Sequence, residues 1–156
     1  VTKRYHAVVN GVHNLDSISV FLPILALKNG TAVKIDRAAG KVAETIFNTL
    51  KVYRGYSLIE CIPITGRMHQ IRIHLSCLKA PIVCDPQYGG EPIFLSNMKR
   101  KFKLKKESEE QPLIQRVALH ARSLTFALMN GEPLVTEAPY PKDFAVLVKQ
   151  LDKFAM

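Results

Sequence analysis

Cysteine is scarce in this chain, and its pattern excludes a disulfide framework. The three cysteines, Cys61, Cys77 and Cys84, are an odd number at no ligand-like spacing. Each sits among apolar neighbours, as small core residues often do. The reading is a reducing compartment, hence a cytoplasmic protein. No apolar run approaches the ~20 residues a membrane span needs, and no charged-then-apolar leader is visible, so no membrane partner is expected. C-x-x-C and H-E-x-x-H are both missing, and His69 and His74 would point roughly 140° apart on a helix. That argues against a metal. Gly89-Gly90 has neither a Walker lysine nor a G-x-G-x-x-G setting, which argues against ATP and dinucleotides. No cofactor is expected.

Acidic residues are also in short supply. Lys and Arg number 22 against 13 Asp and Glu, a formal net charge of +9, so polyanions, nucleic acid foremost, become the default partners. With 47% apolar and 22% charged residues the chain is far from the disordered class. Its length predicts one domain, residues 1–156, with a real core.

Strand signals dominate the first 64 residues. "KRYHAVVNG" reads as a strand entering a turn at Asn10-Gly11, and "SISVFLPI" and "TAVKIDR" as short strands around Asn29-Gly30. "VAETIFNTLKVY" and "YSLIECIPI" are placed to pair as a hairpin across Arg54-Gly55. "VALHARSLTFAL", Asn130-Gly131 and "EPLVTEAP" carry the strongest hairpin signal in the chain. "PKDFAVLVKQLDKF" closes as a short amphipathic helix, with Pro141 near its first turn and Phe144, Leu147, Val148 and Leu151 on one face. Residues 67–79 fit both periods: Ile71, Ile73 and Leu75 alternate like a strand, while Met68, Ile71, Leu75 and Leu78 line one helical face. Length favours the helix. The result is an α+β fold, mostly antiparallel sheet with a few helices. Residues 97–112, with six Lys or Arg among residues 99–106 followed by Glu107, Glu109 and Glu110, read as a charged insertion or exposed loop. A phosphate-contacting arm is the sharper alternative.

"TGRMHQIRIHL", Thr65 to Leu75, sets two arginines, two histidines and a glutamine among apolar residues, a mixture costly to bury without a role. A nucleophilic cysteine, Cys77 or Cys84 served by His69 or His74, is the minor enzyme option. The order of residues carries more. "TGRMHQIRIHLSCLKAPIVCDPQYGG" resembles the RluA-type RNA pseudouridine synthases, whose motif runs T-G-R-x-H-Q-I-R-x-H-L and then P-I-x-x-D-x-x-Y-G. "KRYHAVVNG", "GKVAETIF", "ALHARSLTF" and "EAPYPKDF" resemble further family segments in the family's order.

The resemblance implies the pseudouridine synthase catalytic-domain fold and isomerisation of uridine in ribosomal or transfer RNA to pseudouridine, without cofactor or metal. It implies that Tyr5 stacks on the uracil and helps move a proton at carbon 5, and that Arg72 pairs with the catalytic aspartate. Lys3, Arg67, His69 and Gln70 belong to the same motifs as RNA-binding or motif-supporting residues. The family nucleophile lies in H-R-L-D-x-x-T-S-G, ahead of the K-x-Y strand, and the expectation is that this chain lacks it. Asp16, in "HNLDSIS", is disfavoured as a substitute: it follows the strand instead of preceding it, and Asn14 stands where the motif has arginine. The chain therefore reads as the C-terminal part of a catalytic domain, its N-terminal half missing, inactive alone and monomeric in the full-length protein. The alternative is a non-catalytic RNA-binding or accessory module with the same fold.

Overall fold

The computed structural model describes residues 1–104 and 108–156; Lys105, Lys106 and Glu107 of the charged segment lie outside the described residues. Eight strands form in chain order: β1 (Thr2–Asn10), β2 (Ile18–Phe21), β3 (Ile24–Ala26), β4 (Val33–Ile35), β5 (Glu44–Val52), β6 (Tyr56–Pro63), β7 (Leu119–Ala127) and β8 (Pro133–Glu137). Two α-helices join them, α1 (Gln70–Cys77) and α2 (Lys142–Phe154). Six strands make one antiparallel sheet in the order β2-β5-β6-β1-β7-β8, and β3 pairs with β4 in a separate ribbon. Pro23 explains why "SISVFLPI" is two strands: it lacks the N–H that a central strand must donate.

β1 lies inside the sheet, and its sequence shows why. Ala7, Val8 and Val9 are all fully buried. Successive strand residues point to opposite faces, so both faces are covered there. Tyr5 stands opposite Cys61, and Cys61 opposite Phe47, so these three share a face with Thr45. Thr45 meets His74 of α1. His6 points the other way and meets Tyr140 just ahead of α2. The two helices therefore cover opposite faces. Phe144, Leu147 and Leu151 of α2 are buried as the 3.6-residue period expects, and Val148 only partly. Pro141 caps the helix from outside its first turn.

Cover thins toward one edge. Every residue of β8 is exposed. The hairpin that joins it to β7 is thus held by its ladder, Ser123↔Glu137 through Ala127↔Pro133, more than by burial. The helix expected over residues 67–79 is shorter, because Arg67 to His69 form its entry and His69 adopts a left-handed φ of 54°. The cysteines do not share one environment either: Cys61 is buried, Cys84 half-buried, and Cys77 exposed, so the reading of all three as core residues fails at Cys77. None of the helices among the described residues is long and apolar enough to cross a membrane.

Candidate active site

A cavity of about 470 Å³ opens where the start of β1, the end of β6 and the N-terminus of α1 converge. Lys3 and Tyr5 line it from β1, Pro63 from the end of β6, Ile64 to Arg67 from the loop after it, and His69 to Arg72 from α1 and its entry. Of the residues singled out in the sequence, Lys3, Tyr5, Arg67, His69, Gln70 and Arg72 are thus brought together. Asp16 is not: it is exposed in the turn before β2, and it does not line the cavity. Tyr5 and Lys3 also border a smaller hollow of about 280 Å³ against β7 and β8. Between Arg4 and Tyr5 the pairing of β1 with β7 skips Arg122, a bulge that lies in β7 opposite the start of β1.

Gln70 is buried and works inward. Its Oε1 accepts from the Thr65 hydroxyl (2.7 Å) and the Arg67 amide (3.0 Å), and its Nε2 donates to the Glu44 carbonyl (2.8 Å) and the Thr45 hydroxyl (2.9 Å). The chain continues with fixed direction. The Thr45 hydroxyl donates to His74 Nδ1 (2.8 Å), and His74 Nε2 donates to the Leu22 carbonyl (3.0 Å). Burial holds the His74 pKa below the usual imidazole value, as this neutral tautomer requires. Both its ring nitrogens are occupied. Cys77 and Cys84 do not line the cavity, so the Cys–His option has no geometric support. Among the described residues no three His, Cys, Asp or Glu side chains converge as a metal site.

Arg67 lines the cavity and anchors its Nε on the Val42 carbonyl (2.8 Å). Arg72 is held far more firmly. Its Nε and Nη2 form a fork on Asp85 at 2.9 and 2.8 Å, and Nη2 also reaches Gln87 Oε1 at 3.1 Å. The Tyr88 ring lies 5.0 Å from the guanidinium carbon. The Asp85 contact raises the Arg72 pKa further. The sequence assigned Arg72 to a catalytic aspartate; inside this chain its partner is Asp85, which is 1% exposed and does not line the cavity. Nη1 has no hydrogen-bond partner among the described residues, and Arg72 lines the cavity.

A tight turn makes this possible. Pro86–Tyr88 is a single 3₁₀ turn between left-handed residues Cys84 (φ 64°) and Gly89 (φ 96°). Gly90 is irreplaceable in this packing, because a Cβ there would lie 1.8 Å from the Ile82 carbonyl oxygen. The turn brings Asp85, Gln87 and Tyr88 back against α1. Sequence reasoning gave these three no role. The signal was present: the aspartate and tyrosine of "DPQYG" stand in the same motif run as Arg72, and a conspicuous arginine within an apolar helix needs a carboxylate nearby.

Residues 1–77 match the RNA pseudouridylate synthase family. The chain is 33% identical over 154 residues to an RNA pseudouridine synthase of Bacillus subtilis, covering 98% of this chain and 45% of that protein. It is 40% identical over 157 aligned positions to ribosomal large subunit pseudouridine synthase C of Buchnera aphidicola, covering 97% of this chain and 45% of the relative. Among solved structures, human RNA pseudouridylate synthase domain containing 4 superposes with a TM-score of 0.64 at 25% identity, over 97% of this chain and 62% of that one. The chain thus spans about half the length of the curated relatives it matches.

Proposed function

This chain belongs to the RluA-type RNA pseudouridine synthases, and we propose that it supplies the stacking tyrosine and the fixed guanidinium of a site that isomerises uridine in RNA. One observation carries the reading: Tyr5 and Arg72, which come from distant segments, line the same cavity, with the cations Lys3 and Arg67 at its wall. The target uridine leaves its stack at a cost of a few kcal/mol, which ring contact with Tyr5 and phosphate contacts from Lys3 and Arg67 offset. The N1–C1′ bond breaks, the uracil turns, and C5 bonds to C1′. The C5 proton leaves and N1 gains one, so the product is an isomer with nothing added. The Tyr5 hydroxyl has no hydrogen-bond partner among the described residues and is free to relay that proton.

The attacking carboxylate in this reading is the aspartate of the family's H-R-L-D segment, which is not among the 156 residues. Because Asp85 occupies Nε and Nη2 of Arg72, that carboxylate meets the Nη1 edge. The named target of the Buchnera relative makes ribosomal RNA the first substrate to try, with transfer RNA, the named target of a Saccharomyces cerevisiae relative, beside it.

The test is tritium release from RNA carrying uridine labelled at carbon 5, using the natural gene product that contains these residues. Release is expected, and Tyr5→Phe and Arg72→Met are each expected to lower it by at least 100-fold, the scale of a lost proton-transfer or charge-stabilising group. Release that survives both substitutions would remove the proposal. If instead Asp16→Ala alone abolishes it, the nucleophile is Asp16. Saturable RNA binding with no release favours the non-catalytic module.

A further inference from the structure

The inference rests on the reading of the cavity as a uridine site and concerns which atom meets the base. The Val33 amide donates to the Tyr88 hydroxyl at 3.1 Å. Besides that amide, the hydroxyl has His69 Nδ1, 2.7 Å away, as its one partner among the described residues, and only donation of the phenol proton to Nδ1 places that proton in a hydrogen bond. Nδ1 therefore accepts, and a neutral imidazole with Nδ1 accepting carries its proton on Nε2. Burial and the nearby Arg72 charge both lower the His69 pKa, which keeps the ring neutral. Nε2 has no partner among the described residues, and His69 lines the cavity beside Arg72.

The placement is deliberate in another sense. His69 starts α1 from a left-handed conformation, φ 54°, where residues other than glycine are uncommon. The aromatic contact with Tyr88, edge-on at 5.5 Å between ring centres, fixes the ring that this backbone presents. Strain of this kind persists where the surroundings over-determine it, and it clusters at functional positions.

We propose that His69 donates a hydrogen bond from Nε2 to a uracil carbonyl oxygen of the flipped base, with Tyr88 as the positioning residue that fixes its tautomer. The charge arrangement selects this acceptor. Lys3, Arg67 and Arg72 at the same cavity are cations and take phosphate or carboxylate oxygens. The one neutral ring N–H among them is left for a neutral acceptor.

The experiment has two arms on the 156-residue chain. Nitrogen-15 NMR of the histidine rings, with His69 assigned by its absence in His69→Gln, reads the tautomer; anisotropy titration with oligouridylate reads the contact. His69 is expected as the single Nε2–H tautomer, becoming a mixture in Tyr88→Phe. His69→Phe is expected to weaken oligouridylate about fivefold, the effect of one neutral hydrogen bond, while His69→Gln, which keeps a donor, retains most of the affinity. Thermal melts of each variant separate lost contact from lost fold. An Nδ1–H tautomer in the wild type, or unchanged affinity in a folded His69→Phe, overturns the inference alone. Failure of the wild type to bind oligouridylate overturns the uridine-site reading and this inference with it.

Discussion

Arg72 and Gln70 are two residues apart in one motif, yet they face opposite tasks. Gln70 spends all four hydrogen-bonding positions inside the protein, whereas Arg72, a residue of the cavity wall, spends two of its nitrogens on Asp85 and leaves the third without a partner among the described residues. The Asp85 carboxylate is almost fully buried and the Arg72 side chain is 18% exposed. Asp85→Ala should therefore destabilise the fold by about 3 kcal/mol, the low end for breaking a buried pair, because the guanidinium retains some solvent. Urea unfolding measures it, and a loss below about 1 kcal/mol would show that the pair is replaceable by water. The sequence marked Arg72 as needing a carboxylate but not which one. A local pattern cannot show that a turn 13 residues later folds back on the helix.

At the scale of elements, α2 shows what was legible and what was not. Its apolar period and its start after proline follow from the sequence, and both hairpins form at the Arg54-Gly55 and Asn130-Gly131 turns as their residue types demand. Its docking was not legible, since it depends on side chains far away in the chain. Tyr53 and Lys51 hold Asp152 at 2.7 and 2.8 Å, and the Tyr140 hydroxyl, just ahead of the helix, is hydrogen-bonded with His6 Nδ1 at 2.6 Å. Burial, with Arg122 and His120 nearby, lowers the His6 pKa to about 4, so His6 is neutral when folded. The unfolded chain titrates near 6.5 and binds more protons between those two values. Stability is therefore full above about pH 6.5 and falls as pH drops toward 4. His74, whose pKa burial also lowers, adds in the same direction. Melting temperatures between pH 7.5 and 4.5 should fall in wild type and fall less in His6→Gln. Equal slopes would mean that His6 is not buried neutral.

For the whole molecule, the question is where the +9 charge matters. Lys3 and Arg67 stand at the cavity. Lys99, Arg100, Lys101 and Lys103 are exposed in a segment that is anchored elsewhere: Arg54, in the β5–β6 turn, donates to the carbonyls of Met98 and Phe154, and Met98 is buried. That turn is at one end of β6, and the Pro63 and Thr65 that line the cavity are at the other. A strand of this length spans roughly 26 Å, about three Debye lengths at physiological ionic strength. Charges so far apart are screened from one another, so the two basic groups act independently on a short ligand. Reversing Lys99, Arg100, Lys101 and Lys103 to glutamate should leave affinity for a short oligouridylate within about twofold at 0.15 M salt, while Lys3→Glu with Arg67→Glu should lower it at least tenfold. Titrations with oligonucleotides of increasing length extend the comparison. If the four-fold reversal weakens the shortest ligand as much as the cavity pair does, the charged segment reaches the cavity and the screening argument is wrong. If it weakens only long RNA, the segment holds the strand at a distance from the cavity.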